Sequence, residues 1–205
     1  MTKTISKIYP SYDRAQSAVR ELETAGVPHS DISIVANNSD NWFSKNGSAK
    51  RVDRDGNGVD DRAEGAGTGA GIGAGVGGAA GLLAGLGLLA IPGVGPVVAA
   101  GWLVATAAGA AAGGLTGGIV GALTQAGVSD DDAQLYAEGV RRGGTLVTAR
   151  VDDADATRLE AVLDRSSLRA SDLRSAYDKS GWKGFDPKAK PYSADEVRQY
   201  RSSWQ

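Results

Sequence analysis

The densest set of metal-type ligands in this chain lies in the twelve residues from Asp53 to Glu64, D-R-D-G-N-G-V-D-D-R-A-E. They fit the calcium-loop pattern D-x-[DN]-x-[DN]-G-x5-E at each specified position. In such a loop Asp53, Asp55 and Asn57 offer side-chain oxygens, Val59 offers its carbonyl, and Asp61 binds directly or through water. Glu64 closes the site with both oxygens, and Gly58 permits the sharp turn. Without a cation these carboxylates repel one another, and Arg54 and Arg62 offset only part of that repulsion. Calcium is therefore the candidate cofactor. Two features depart from a paired EF-hand: Asp60 stands where a hydrophobic residue is usual, and no apolar helix precedes the loop. The alternative is an acidic turn that keeps the neighbouring chain solvated.

Other chemistries find little to work with. The 205 residues include no cysteine, which excludes disulfides, thiolate metal sites and cysteine nucleophiles. The single histidine, His29, sits in a V-P-H-S-D connection with no partner group beside it. No Ser/His/Asp set, paired-carboxylate cleft or phosphate loop is visible. The Gly-x-Gly triplets between 65 and 87 follow a charged turn, whereas a dinucleotide fingerprint needs a strand immediately before it. The expectation is a protein that is not an enzyme, with no catalytic residue and no small-molecule substrate. Twenty-two basic residues against 24 acidic ones leave a net charge of −2, unlike the basic face of a nucleic-acid binder. No apolar run follows the basic start, so the chain reads as cytoplasmic, with inner-membrane association if its apolar segment meets lipid.

That apolar segment is the anomaly. Thirty residues are glycine, and residues 65–129 form a run of 65 without a charge, so the mean hydropathy of −0.21 averages two different materials. Glycines recur at Gly69, Gly73, Gly77, Gly81 and Gly85, and small residues again at Gly101, Ala105, Gly109, Gly113, Gly117 and Gly121. A step of four puts each ladder on one face of a helix. Interior glycine costs roughly 1 kcal/mol against alanine, so close packing of small residues must offset several such costs. The I-P-G-V-G-P connection at 91–96 stops one helix and starts another. The expectation is an antiparallel helical hairpin, ladder against ladder. A hairpin apolar all round does not stand alone in water. It enters a bilayer, forms a homo-oligomer, or packs on its own domain, and its most lipophilic part is the tip, 82–104.

The flanks read as a small α+β unit. Residues 4–9 form a strand, and Ala15, Ala18, Val19 and Leu22 mark a helix stopped by Gly26 and Pro28. Residues 31–36 form a second strand. After the hairpin, Ser129 and Asp132 open a helix to about Arg142, residues 145–151 form a strand, 154–165 a helix, and 172–176 a weaker strand. Two β-α-β halves make a ferredoxin-like sandwich, an antiparallel sheet with helices on one face. The expected division is 1–38 for the first half, 39–64 for the polar loop, 65–128 for the hairpin, 129–178 for the second half and 179–205 for a tail. That tail mixes aromatic and basic residues and carries a capping box, Ser193-x-x-Glu196, for a last short helix. Its aromatics are read as pinning the tail to the domain rather than stacking on nucleic acid.

The stretches IYPSYDRAQSAVRELETAGVPHSDISIVAN and GVSDDDAQLYAEGVRRGGTLVTARV resemble the two halves of the bacterial general stress protein 17M family, also called the heat-induced stress protein YflT domain. The resemblance covers most of residues 4–165; the 39–64 loop and the tail fall outside it. It implies a role in stress responses and supplies no active-site residues. The function expected is a non-catalytic stress protein whose glycine ladders drive membrane association or homo-oligomerisation. The alternative is a calcium-responsive binding module in which 53–64 controls the hairpin.

Overall fold

Alternation builds the first strand. In β1, Thr2–Tyr9, Ile5 and Tyr9 turn to one side of the pleat and Ile8 to the other, and all three are buried. The computed structural model describes residues 2–43, 86–106 and 118–204. Helix α1, Tyr12–Thr24, starts where the Ser11 hydroxyl accepts the Arg14 amide, and it buries Ala15, Ala18, Val19 and Leu22. Gly26, at φ 97°, ends it in the left-handed region. A single 3-10 turn, His29–Asp31, leads into β2, Ile32–Asn37, which is buried throughout.

Two further strands follow, β3 at Gly87–Ile91 and β4 at Gly95–Gly101. Helix α2 spans Gly118–Gln125 and α3 spans Asp130–Arg141, the latter capped by Ser129 accepting the Asp132 amide. Then come β5, Thr145–Asp152, and α4, Asp153–Asp164. The chain closes with α5, Ala170–Lys179, and α6, Ala194–Ser203. The protein is thus of the α+β class.

The sheet runs β1-β5-β2-β4-β3, with every neighbouring pair antiparallel. Strands β1 and β2 therefore point the same way, with β5 between them. Ile5 lies opposite Ala149, and Ile34 opposite Val147. Outside β1 a single bridge forms where the Leu168 amide donates to the Ile8 carbonyl at 2.8 Å.

Each face of this sheet has its own core. On one side Ile5, Ile34, Val147 and Val151 meet α1 and α4. On the other, Ile8, Val35, Val97 and Leu146 meet α2, α3 and α5. The expectation of helices on one face is therefore corrected. Strands β2 and β5 are apolar on both sides, so both sides need cover. The strand expected at 172–176 is part of α5, because Leu173 and Tyr177, four apart, bury one helical stripe. The expected helical tip at 82–104 is, over Gly87–Gly101, a β-hairpin that adds two strands to the β2 edge.

Candidate functional site

The added hairpin is built from residues that suit a pleated, half-buried surface. Ile91, Val94, Val97 and Val98 are β-branched and buried, while Leu88 is 41% exposed. Pro92 and Gly93 form the turn, which the Val94 amide closes on the Ile91 carbonyl at 3.0 Å. On its outer side, β3 has no strand partner among the described residues.

The C-terminal segment crosses this turn. A Cβ added at Gly93, whose φ is +75°, would lie 2.7 Å from the Asp186 oxygen and 2.7 Å from the Pro187 Cα. One added at Gly95 would lie 2.7 Å from the Pro191 Cβ. Residues 186–191 therefore sit on the hairpin backbone at a distance that only glycine permits. Trp182, Phe185 and Trp204 also pack against the second core, which agrees with the reading of the tail aromatics as anchors.

Polar and charged side chains hold the two ends of this strap. At its start the Phe185 amide donates to Gln134 Oε1 at 3.2 Å. Further on, Arg141 Nη2 donates to the Lys190 carbonyl at 3.0 Å and the guanidinium lies 4.4 Å from the Tyr192 ring. In α6, Arg201 donates to the carbonyls of Gly143 and Asn37, each at 2.8 Å, and pairs with Asp40 at 2.6 Å. Beneath them Glu138 is fully buried and accepts from both Arg142 Nε at 2.6 Å and Arg141 Nη1 at 3.3 Å. The Arg142 guanidinium lies 4.2 Å from the Tyr177 ring and 5.0 Å from Tyr200. Burial alone would lower the Arg142 pKa, but the Glu138 hydrogen bond and charge outweigh it and raise it. Burial pushes the Tyr177 phenol well above its usual range. An Arg142 guanidinium held in its charged form by these contacts suits holding rather than proton transfer.

Elsewhere, a cleft of about 630 Å³ opens between the end of α1 and the start of α4. Its two cations are engaged: Arg150 pairs with Asp31 at 2.8 Å and lies 4.7 Å from the Trp102 ring, and Arg158 pairs with Asp155 at 2.9 Å.

The residues singled out in the sequence are distributed unevenly over this structure. The candidate calcium ligands Asp53, Asp55, Asn57, Val59, Asp61 and Glu64 lie outside the described residues. So do the ladder glycines 69, 73, 77, 81, 85, 109, 113 and 117. Among the described residues no group of three or more acidic or histidine side chains is placed to hold a metal. Gly101 is not a helical rung: it ends β4 at φ +97°, where a Cβ would come within 2.7 Å of the Ser33 Cα. Its close approach is to β2. Ala105 lies in a helical turn at 102–106 and is exposed. Gly121 lies in α2 and faces open space, without a described helix packed on it. The Glu138–Arg141–Arg142 cluster and Arg201 were not singled out in the sequence. Only the i, i+3 and i, i+4 spacing of Glu138 to the two arginines hinted at them. Comparison with known proteins finds no matching family model, no matching curated protein and no matching solved structure.

Proposed function

We propose that the protein is a non-catalytic structural protein that self-associates through its glycine-rich insertion, with the β3 edge forming part of the contact. The observation that carries this is the edge itself. Strand β3 has no charged residue, exposes Leu88, and has no outer strand partner among the described residues. An uncharged edge of this kind offers its backbone groups to another strand, and proteins that stay monomeric usually place a charge, a proline or a bulge there. No helix among the described residues is long and apolar enough to cross a membrane.

The resemblance to the general stress protein 17M family adds a role in the stress response to this reading. A ferredoxin-like core is supported by the β1-β5-β2 arrangement, with α1 and α4 on one face and the Leu168 bridge beside β1 where a fourth strand would lie.

Sedimentation velocity over a concentration series tests the proposal, with Leu88→Lys as the variant. Wild type should assemble as concentration rises, and the lysine should weaken assembly about tenfold by placing a charge on the edge. A wild-type protein that stays monomeric throughout, yet floats with lipid vesicles, would replace self-association by membrane binding.

A further inference from the structure

We infer that residues 183–204 form a releasable latch that holds the β3–β4 hairpin in the sheet. The strap fits the hairpin but is not fastened to it. Among the described residues no hydrogen bond joins 183–204 to 87–101. The contact is one of packing, with Phe185, Asp186 and Pro187 lying on Gly93 and Pro191 on Gly95. Every fastening goes elsewhere, to Gln134 and Arg141 on α3 and to Asn37, Asp40 and Gly143 at the ends of β2 and α3.

Two consequences follow from that division. The strap between Gly184 and Ser193 has no helix or strand of its own, and its local bonds are the Asp186 turn accepting from Lys188 and Ala189. Segments with few internal bonds and half-exposed polar anchors open at lower free energy than core strands. The hairpin beneath is apolar: Ile91, Val94 and Val97 are buried, and among the described residues it joins the rest of the sheet through the β2–β4 pairing, extended by the Asn38 amide donating to the Pro96 carbonyl. When the strap lifts, the turn loses its cover, while β1, β5 and β2 keep both α1 and α4 on one face and α3 on the other. The latch thus decides whether the apolar hairpin is held or freed. It does not rest on self-association, because opening is a property of the single chain.

Hydrogen exchange on the full-length protein, read at low concentration by mass spectrometry, tests this with three variants. Gly93→Ala drives a methyl into the strap. Gly26→Ala has a comparable backbone strain, at φ +97°, with nothing within 4 Å of the new methyl, and so controls for strain alone. Tyr192→Ala removes the ring that Arg141 and Tyr200 hold, loosening the strap away from the hairpin. Gly93→Ala and Tyr192→Ala should each speed exchange across 87–101 about tenfold, leaving β1 and β5 protected, while Gly26→Ala leaves 87–101 at the wild-type rate. The latch is overturned if Tyr192→Ala leaves 87–101 unchanged, if Gly93→Ala matches Gly26→Ala, or if all five strands accelerate together.

Discussion

Glu138 shows what a single buried charge does in this protein. Its carboxylate is fully enclosed, and two arginines share it. Such an arrangement adds little net stability over an apolar one, because desolvation offsets most of the attraction, but losing one partner leaves the other stranded. Arg142 is the one stranded here, since Glu138 accepts its Nε and only Ser180 is left to accept from its Nη2. Glu138→Ala should therefore cost about 3–5 kcal/mol in urea unfolding. A loss below about 1 kcal/mol would mean that Arg142 finds water or another acceptor in place of Glu138.

At the scale of the element, α6 carries a complete capping box. The Ser193 hydroxyl accepts the Glu196 amide, and the Glu196 carboxylate accepts the Ser193 amide at 2.8 Å. That backbone bond and the Ser193 hydroxyl hold the Glu196 carboxyl below its ordinary value of 4.5. A depressed carboxyl stabilises the fold above its unfolded value, and the contribution disappears as pH falls through the folded one. Lowering the pH from about 5 to about 3 should therefore loosen α6, as read by hydrogen exchange on its amides. Glu196→Gln should flatten that dependence. A pH response of α6 that survives the substitution would assign it to another group.

For the whole molecule, the decisive feature is one sheet serving two cores. Adjacent residues of β5 belong to different cores, Leu146 to the α3 side and Val147 to the α1 side. Neither core can come apart without exposing β1, β5 and β2, so these three strands and the helices packed on them should unfold together. Leu146→Ala should cost about 2–5 kcal/mol and shift a single transition followed by both tryptophan fluorescence and circular dichroism. Trp102 and Trp182 report from the second core. Separate midpoints for the two probes would show that the two faces unfold independently.

The sequence by itself determined β1, α1, β2, α3, β5 and α4, because each carries its own local signal. Ser11 and Ser129 cap, Gly26 and Gly143 stop, and the apolar residues recur at the strand or helix period. The capping box of α6 was legible for the same reason. The glycine spacing around the tip was ambiguous for a physical reason: a step of four is close to one helical turn and also two strand repeats, so Gly101 fits either pattern. Tertiary structure decided between them. The edge of β2 offered a ladder of unpaired backbone groups, and the β-branched residues of 91–98 matched it. Pattern alone also leaves open which faces of a sheet are covered, and here α2, α3 and α5 close the second face. The strap was the least legible part. Its fit to Gly93 and Gly95 joins residues about ninety positions apart in the chain, and no local pattern encodes such a contact.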